Sequence, residues 1–156
     1  MEFSLFMIKP IAYKYKDEIL KIISEKLKIE STTDAILSKE FLEKLYIGEN
    51  ETFKKLSIAY LANKRVCVGV VSGENARAKL IEICGAHFIP EKCDKNSIRY
   101  KYRTKQQSIT FNGQTFYINS IHKSSPQDAN YEVGLYIDEF RKKKVKKERA
   151  EDEEER

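Results

Sequence analysis

Val66-Cys67-Val68-Gly69-Val70-Val71 carries no charged side chain on either face. A strand of that kind is predicted to lie buried on both sides, at the centre of a sheet rather than along its edge. Ser72-Gly73-Glu74-Asn75 then turns the chain into a helix predicted over Ala76 to Cys84, with Gly85 placed to end it as a C-cap. A central strand feeding a helix asks for partner strands on both flanks, and the rest of the chain supplies them.

Upstream, Phe3 to Ile8 is an apolar run ended by Lys9-Pro10, read as a buried strand. From Tyr15 to Leu27, Ile19, Ile22, Ile23 and Leu27 recur at helical spacing among lysines and glutamates. Ile29 to Leu37, with Ser31-Thr32-Thr33, reads as a more polar second strand. Ser38 as N-cap before Phe41, Leu42 and Leu45 predicts a short helix, and Thr52 to Leu61 another. Downstream, Ala86 to Gly113 is a long polar and aromatic stretch with a hairpin predicted at Asn112-Gly113. Thr115 to Ile121 reads as the last strand. Ser125 as N-cap, Pro126 at N1 and Asp128 at N3 then predict a helix through Tyr131, Leu135 and Tyr136. This order gives an α+β fold: a ferredoxin-like split βαβ, with a four-stranded antiparallel sheet covered by helices.

The 156 residues are 41% hydrophobic, enough for one domain with a core, and contain no bilayer-length apolar run. The apolar start is too short for a signal peptide and lacks a basic flank, so a soluble cytoplasmic protein is expected. The three cysteines have no metal-ligand spacing; they read as reduced thiols, with Cys67 and Cys84 in the core. A net charge of +5 suits a phosphate-rich partner, although the segment from Arg141 onward contributes +2 of it. That tail, residues 141–156, has only Val145 and Ala150 among its charges and is expected to be disordered or loosely helical.

The chemistry concentrates in Asn119-Ser120-Ile121-His122-Lys123-Ser124, followed by Glu132 on the next helix. A histidine at the end of an apolar strand can face a cleft, and imidazole is a competent nucleophile near neutral pH. A carboxylate can fix its tautomer and orientation. This pattern resembles the active-site signature of the nucleoside diphosphate kinase family. Phe6-Met7-Ile8-Lys9-Pro10, Val68 to Ala76, and Gly85-Ala86 with Ser97-Ile98-Arg99 resemble other family segments in the same order. The likeness spans roughly residues 3–140, so residues 1–140 form the kinase-like domain.

The resemblance implies transfer of the terminal phosphoryl group from a nucleoside triphosphate to a diphosphate, ping-pong, through a phosphohistidine. It makes His122 the nucleophile, oriented by Glu132 and Ser124. Lys9 and Arg99 would neutralise phosphate charge, Asn119 would bond the ribose hydroxyl or phosphate bridge, and His87 would donate to phosphate. Phe53 and Phe116 would flank the base. Mg²⁺ would arrive on the phosphates of ATP and other nucleotides, with no metal ligands from the protein, and a homo-oligomer is implied.

The departures are as specific as the matches. Ile11 replaces an acid after Lys-Pro, and Ile81 replaces a second phosphate-binding arginine. His87 replaces a threonine, and Lys123 replaces a glycine. The tyrosine that contacts the histidine in the family finds its nearest match in Leu42. The segment between Arg99 and Asn119 is longer than usual, and Lys101, Arg103 or Lys123 are candidates to rebuild the site. Two alternatives stand beside this reading. One is a catalytically silent nucleotide-binding or scaffolding relative, favoured by Ile81. The other is a nucleic-acid-binding module, disfavoured because no RNP-like aromatic signature is present.

Overall fold

The computed structural model of the chain describes residues 1–104, 108–111 and 113–142. A four-stranded antiparallel sheet is built from β1 (Glu2–Ile8), β2 (Lys28–Ile36), β3 (Arg65–Gly73) and β6 (Ile121–Lys123), in the order β2-β3-β1-β6. The fold is therefore the predicted α+β, ferredoxin-like one. β3 lies between β2 and β1 and is buried along nearly its whole length, as its unbroken apolar run required. Gly69 at its middle has a local cause: a Cβ there would collide with the Phe6 ring on β1. The edge strand β2 alternates between exposed and half-buried positions, matching its Ser-Thr-Thr composition.

Two apolar layers sandwich the sheet. Phe6, Ile8, Cys67, Val71 and Ile121 face α1 (Lys16–Ser24) and α4 (Ala76–Cys84). Leu5, Met7, Val66, Val68 and Val70 face α2 (Lys39–Leu45) and α6 (Ala129–Tyr136). The alternation along β1 and β3 sends successive side chains to opposite faces. Ser38 caps α2 through Phe41 N–H at 3.0 Å, and Asn50 caps α3 (Glu51–Leu61) through Phe53 N–H at 2.8 Å.

Three sequence expectations change. The predicted last strand, Thr115 to Ile121, is two strands. β5 (Gln114–Tyr117) pairs with β4 (Ser108–Phe111) in a separate hairpin, and only β6 joins the main sheet. Between them Ser120 carbonyl accepts from Lys9 N–H at 2.9 Å, which ties the crossing to the end of β1. His122 consequently lies within a strand, paired with Met7, rather than just past one. The stretch after Gly85 holds a short helix, α5 (Ile98–Lys101), capped by Ser97, so Arg99 is on a helix and not in a loop. Lastly, Ser125 caps a turn instead of α6. Its Oγ bonds Asp128 Oδ2 at 2.9 Å and accepts from Asp128 N–H at 3.3 Å, and α6 begins after Asp128.

β4 and β5 pair as the predicted hairpin, with Gly113 at φ +76°; Asn112 lies outside the described residues. The reading of the charged tail falls chiefly on residues 143–156, outside the described residues. No described helix is long and apolar enough to cross a membrane.

Candidate active site

His122 is held from two elements at once. Its strand pairs with β1, and the pairing continues past β6 through Ser124 N–H to Leu5 carbonyl at 2.9 Å. Glu132, on the first turns of α6, is only 5% exposed. Its Oε1 stands 2.8 Å from His122 Nε2 and also accepts from Ser124 Oγ at 2.8 Å. A buried carboxylate accepts, so the Nε2 proton is fixed toward Glu132 and the ring's lone pair is left on Nδ1. The helix is itself moored to α2 by Tyr131 Oη donating to Lys44 carbonyl at 3.0 Å. His122, Ser124 and Glu132 form one unit, as the sequence pattern implied.

Tyr46 completes the cradle. Its ring meets the imidazole edge-on, with centroids 6.0 Å apart. Burial, followed by the charge of Glu132, pushes its phenol well above the ordinary range, so it stays a neutral hydroxyl. Leu42, the nearest sequence match for this role, is instead packed in the core. The two lie one helical turn apart, with Tyr46 N–H donating to Leu42 carbonyl at 3.1 Å. A shift of four residues along the same helix face would have found the tyrosine.

A cavity of about 160 Å³ opens beside His122 and is lined by Lys9, Arg99, Asn119, Phe53 and Phe116, all residues singled out in the sequence. Lys9 is 8% exposed, and its Nζ makes no hydrogen bond or ion pair among the described residues. Burial and then the neighbouring Arg99 guanidinium lower its pKa to about 7. Asn119 is 6% exposed; its Nδ2 donates to Phe88 carbonyl at 3.4 Å, and its Oδ1 has no partner among the described residues. Arg99 is aimed by backbone carbonyls. Nε donates to Ile121 at 3.1 Å, and Nη1 to Gly85 at 3.2 Å and His87 at 3.0 Å, leaving Nη2 outside these bonds. Desolvation depresses its pKa as well.

The structure does not bring the His87 side chain into this cavity. Its Nδ1 accepts from Ile89 N–H at 3.0 Å and its ring stacks on Phe88, centroids 4.8 Å apart. Its contribution is the carbonyl that aims Arg99. Phe53 and Phe116 touch, with centroids 5.6 Å apart, and separate the cavity from an outer one of about 220 Å³ between α3 and β5. Ile11, in the family's acid position, donates its N–H to Tyr60 Oη at 3.2 Å, and the Tyr60 ring packs on Phe116. Phe88, Thr115 and Tyr117 also line the site and went unremarked in the sequence. Thr115 and Tyr117 belong to β5 of the predicted hairpin, whereas Phe88 lies outside it and no local spacing announced it. No group of three or more possible metal ligands occurs among the described residues, and the charged side chains lining the cavity beside His122 are Lys9 and Arg99.

A family model for nucleoside diphosphate kinase matches residues 2–142. The chain belongs to the nucleoside diphosphate kinase family. Solved kinases of the family superpose on it over most of their length. The enzyme of Aquifex aeolicus is 28% identical, with 86% of this chain and 93% of that one covered and a TM-score of 0.67. That of Encephalitozoon cuniculi is 24% identical, covering 88% and 89%, with a TM-score of 0.71. A vanadate and ADP complex of the Borrelia burgdorferi kinase is 20% identical, covering 86% of each chain, with a TM-score of 0.74. A sequence search of curated proteins finds no match. Membership of this kinase family makes nucleotide phosphotransfer the general chemistry to which the site belongs, and the side chains around His122 suit it.

Proposed function

We propose that this chain transfers the terminal phosphoryl group of ATP and other nucleoside triphosphates to nucleoside diphosphates, by a ping-pong reaction through phospho-His122. The observation that carries this reading is the pairing of Nε2 with buried Glu132 at 2.8 Å, which leaves Nδ1 as the free nucleophile beside a cationic cavity. In the first half-reaction the Nδ1 lone pair attacks the γ-phosphorus. The P–N bond forms as the bond to the bridging oxygen breaks, and that oxygen leaves with the electron pair on the diphosphate. The ring gains positive charge, which the Glu132 carboxylate offsets without a proton moving. A terminal oxygen of the second diphosphate then attacks the phosphohistidine, and the same steps run in reverse.

Lys9 and Arg99 lie where they offset charge on the phosphate oxygens, and the unpartnered Asn119 Oδ1 suits a ribose hydroxyl as donor. Phe53 and Phe116 offer stacking surface with no edge contacts, which tolerates any base. Mg²⁺ belongs to the substrate: Glu132 already takes two bonds and the charged side chains of the Lys9 cavity are cations, so the ion fits on the nucleotide phosphates, where it neutralises charge. A homo-oligomer working in the cytoplasm completes the reading; three buried unpaired thiols suit a reducing compartment.

The test is transfer from ATP to a second diphosphate, measured for the unmodified chain and for His122→Ala. Parallel double-reciprocal lines are expected from the first and no turnover from the second. Intersecting lines, or an active His122→Ala, would refute the phosphohistidine route.

A further inference from the structure

Lys123 follows His122 in β6, and successive strand residues leave on opposite faces of the sheet. His122 pairs with Met7, from the layer under α2 and α6, whereas Lys123 pairs with Phe6, from the layer under α1 and α4. β6 is an edge strand, so a long side chain starting on the α4 side can round the edge and come back to the site. Lys123 does so. It lines a cavity of about 210 Å³ together with His122, Glu132, Tyr46 and Asp128. It is half-buried, and among the described residues it makes no hydrogen bond or ion pair.

Its surroundings make that position costly unless an anion arrives. Desolvation, then the charge of Arg99, lower its pKa, and Arg99 likewise lowers that of Lys9. Arg99 thus repels both lysines; Lys9 and Arg99 line one cavity beside His122, and Lys123 lines the other. Three carboxylates share that cavity: Glu132 is committed to His122 and Ser124, Asp128 Oδ2 to Ser125 Oγ, and Glu49 makes no ion pair with Lys123. None of the three cations, partly withdrawn from water, forms an ion pair among the described residues, which favours a ligand carrying several negative charges in a row. Ile81 brings no charge to this end of α4; its carbonyl accepts from Gly85 N–H at 2.8 Å, one turn from the Cys84 that Lys123 faces.

We propose that Lys123 is a third phosphate-binding cation of the site, gripping the group in transfer on the side away from Lys9 and supplying the positive charge that Ile81 does not. The proposal rests on the phosphotransfer reading above, and it assigns the terminal phosphoryl group, rather than the base or ribose, to Lys123.

The experiment is calorimetric titration of the full chain, of Lys123→Met and of Lys123→Arg with ATP, ADP and AMP in the presence of Mg²⁺. Methionine keeps the apolar stem and removes the charge. ATP binding by Lys123→Met should weaken about tenfold or more, ADP binding less, and AMP binding within about twofold, with Lys123→Arg restoring most of the ATP affinity. Unchanged ATP affinity would overturn the proposal, and so would equal weakening for all three nucleotides, which marks a packing defect. If Lys123→Met does not fold, as its thermal midpoint shows, Lys123→Arg decides. ATP affinity close to that of the unmodified chain supports a charge contact, and a fall shared by AMP overturns it. Failure of the unmodified chain to bind any nucleotide would sink the phosphotransfer reading together with this one. Phosphorylation of His122 at a reduced rate in Lys123→Met separates the two.

Discussion

On one side of His122, Glu132 Oε1 takes hydrogen bonds from the imidazole and from Ser124, both at 2.8 Å. On the other side, Lys9 is a largely buried cation with no ion pair among the described residues, and Asn119 Oδ1 is buried without a hydrogen-bond partner among them. The first half is complete as it stands: strand pairing, a moored helix and a shared carboxylate set the nucleophile before any ligand arrives. The second is complete only with a ligand, because buried polar groups left unmatched are costly. Orientation of the nucleophile is therefore a property of the fold, and phosphate binding a property of the complex. Substitutions in the two halves should fail in different ways.

Glu132→Gln breaks the complete half and has the largest expected effect. A carboxamide can donate to Nε2, which shifts the ring proton to Nδ1 and removes the lone pair. Turnover should fall on the order of 10²- to 10⁴-fold while nucleotide affinity holds. Steady-state rates beside equilibrium titration check it; equal losses in both would mean that Glu132 serves binding instead.

The ligand-dependent half has a pH signature. Lys9 has its pKa lowered from 10.5 to about 7, so in the free protein it loses its charge as pH rises through 7. A bound phosphate favours the charged form and raises that value again. Nucleotide binding should then take up to about one proton at roughly pH 8, and very little well below pH 7, with affinity weakening at higher pH. Calorimetry in buffers of different ionisation enthalpy measures the uptake. Lys9→Met should abolish it. Proton uptake that persists in Lys9→Met would assign the titration elsewhere.

The aromatic wall contributes less. Phe53 packs on both Phe116 and Tyr46 and is half turned to solvent. Phe53→Ala should cost about 1–3 kcal/mol of nucleotide affinity and the same for purine and pyrimidine nucleotides. A loss confined to one base class would mean edge recognition rather than stacking. Removing residues 143–156 should change neither half, since Arg141, whose Nη1 donates to Ser31 Oγ at 3.0 Å, is kept. Turnover within about twofold of the full chain is the expected result.

How far the sequence reaches follows the same division. Elements declared by unbroken or periodic apolar runs, such as β1, β3 and α4, were readable almost to the residue, because burial on a regular element leaves a regular trace. His122, Ser124 and Glu132 were readable because a strand, a turn and a helix start fix their spacing. Reading failed where placement depends on contacts across the fold. Tyr46 meets His122 only because the fold brings the end of α2 against that ring, and Lys123 lines the site on an edge strand. The split between β5 and β6 was hidden by one continuous run, Thr115 to Ile121, which hydrogen bonding to Lys9 divides. Arg99 was found by pattern, yet its aim comes from three carbonyls that no local spacing announces.

Incubation of the full chain with γ-labelled ATP, followed by a chase with unlabelled diphosphate, tests the central claim most directly. The account predicts one acid-labile, alkali-stable phosphoryl group on His122, discharged by the chase into labelled triphosphate and missing from His122→Ala. Label that is acid-stable, lies on another residue, or survives the chase would contradict it.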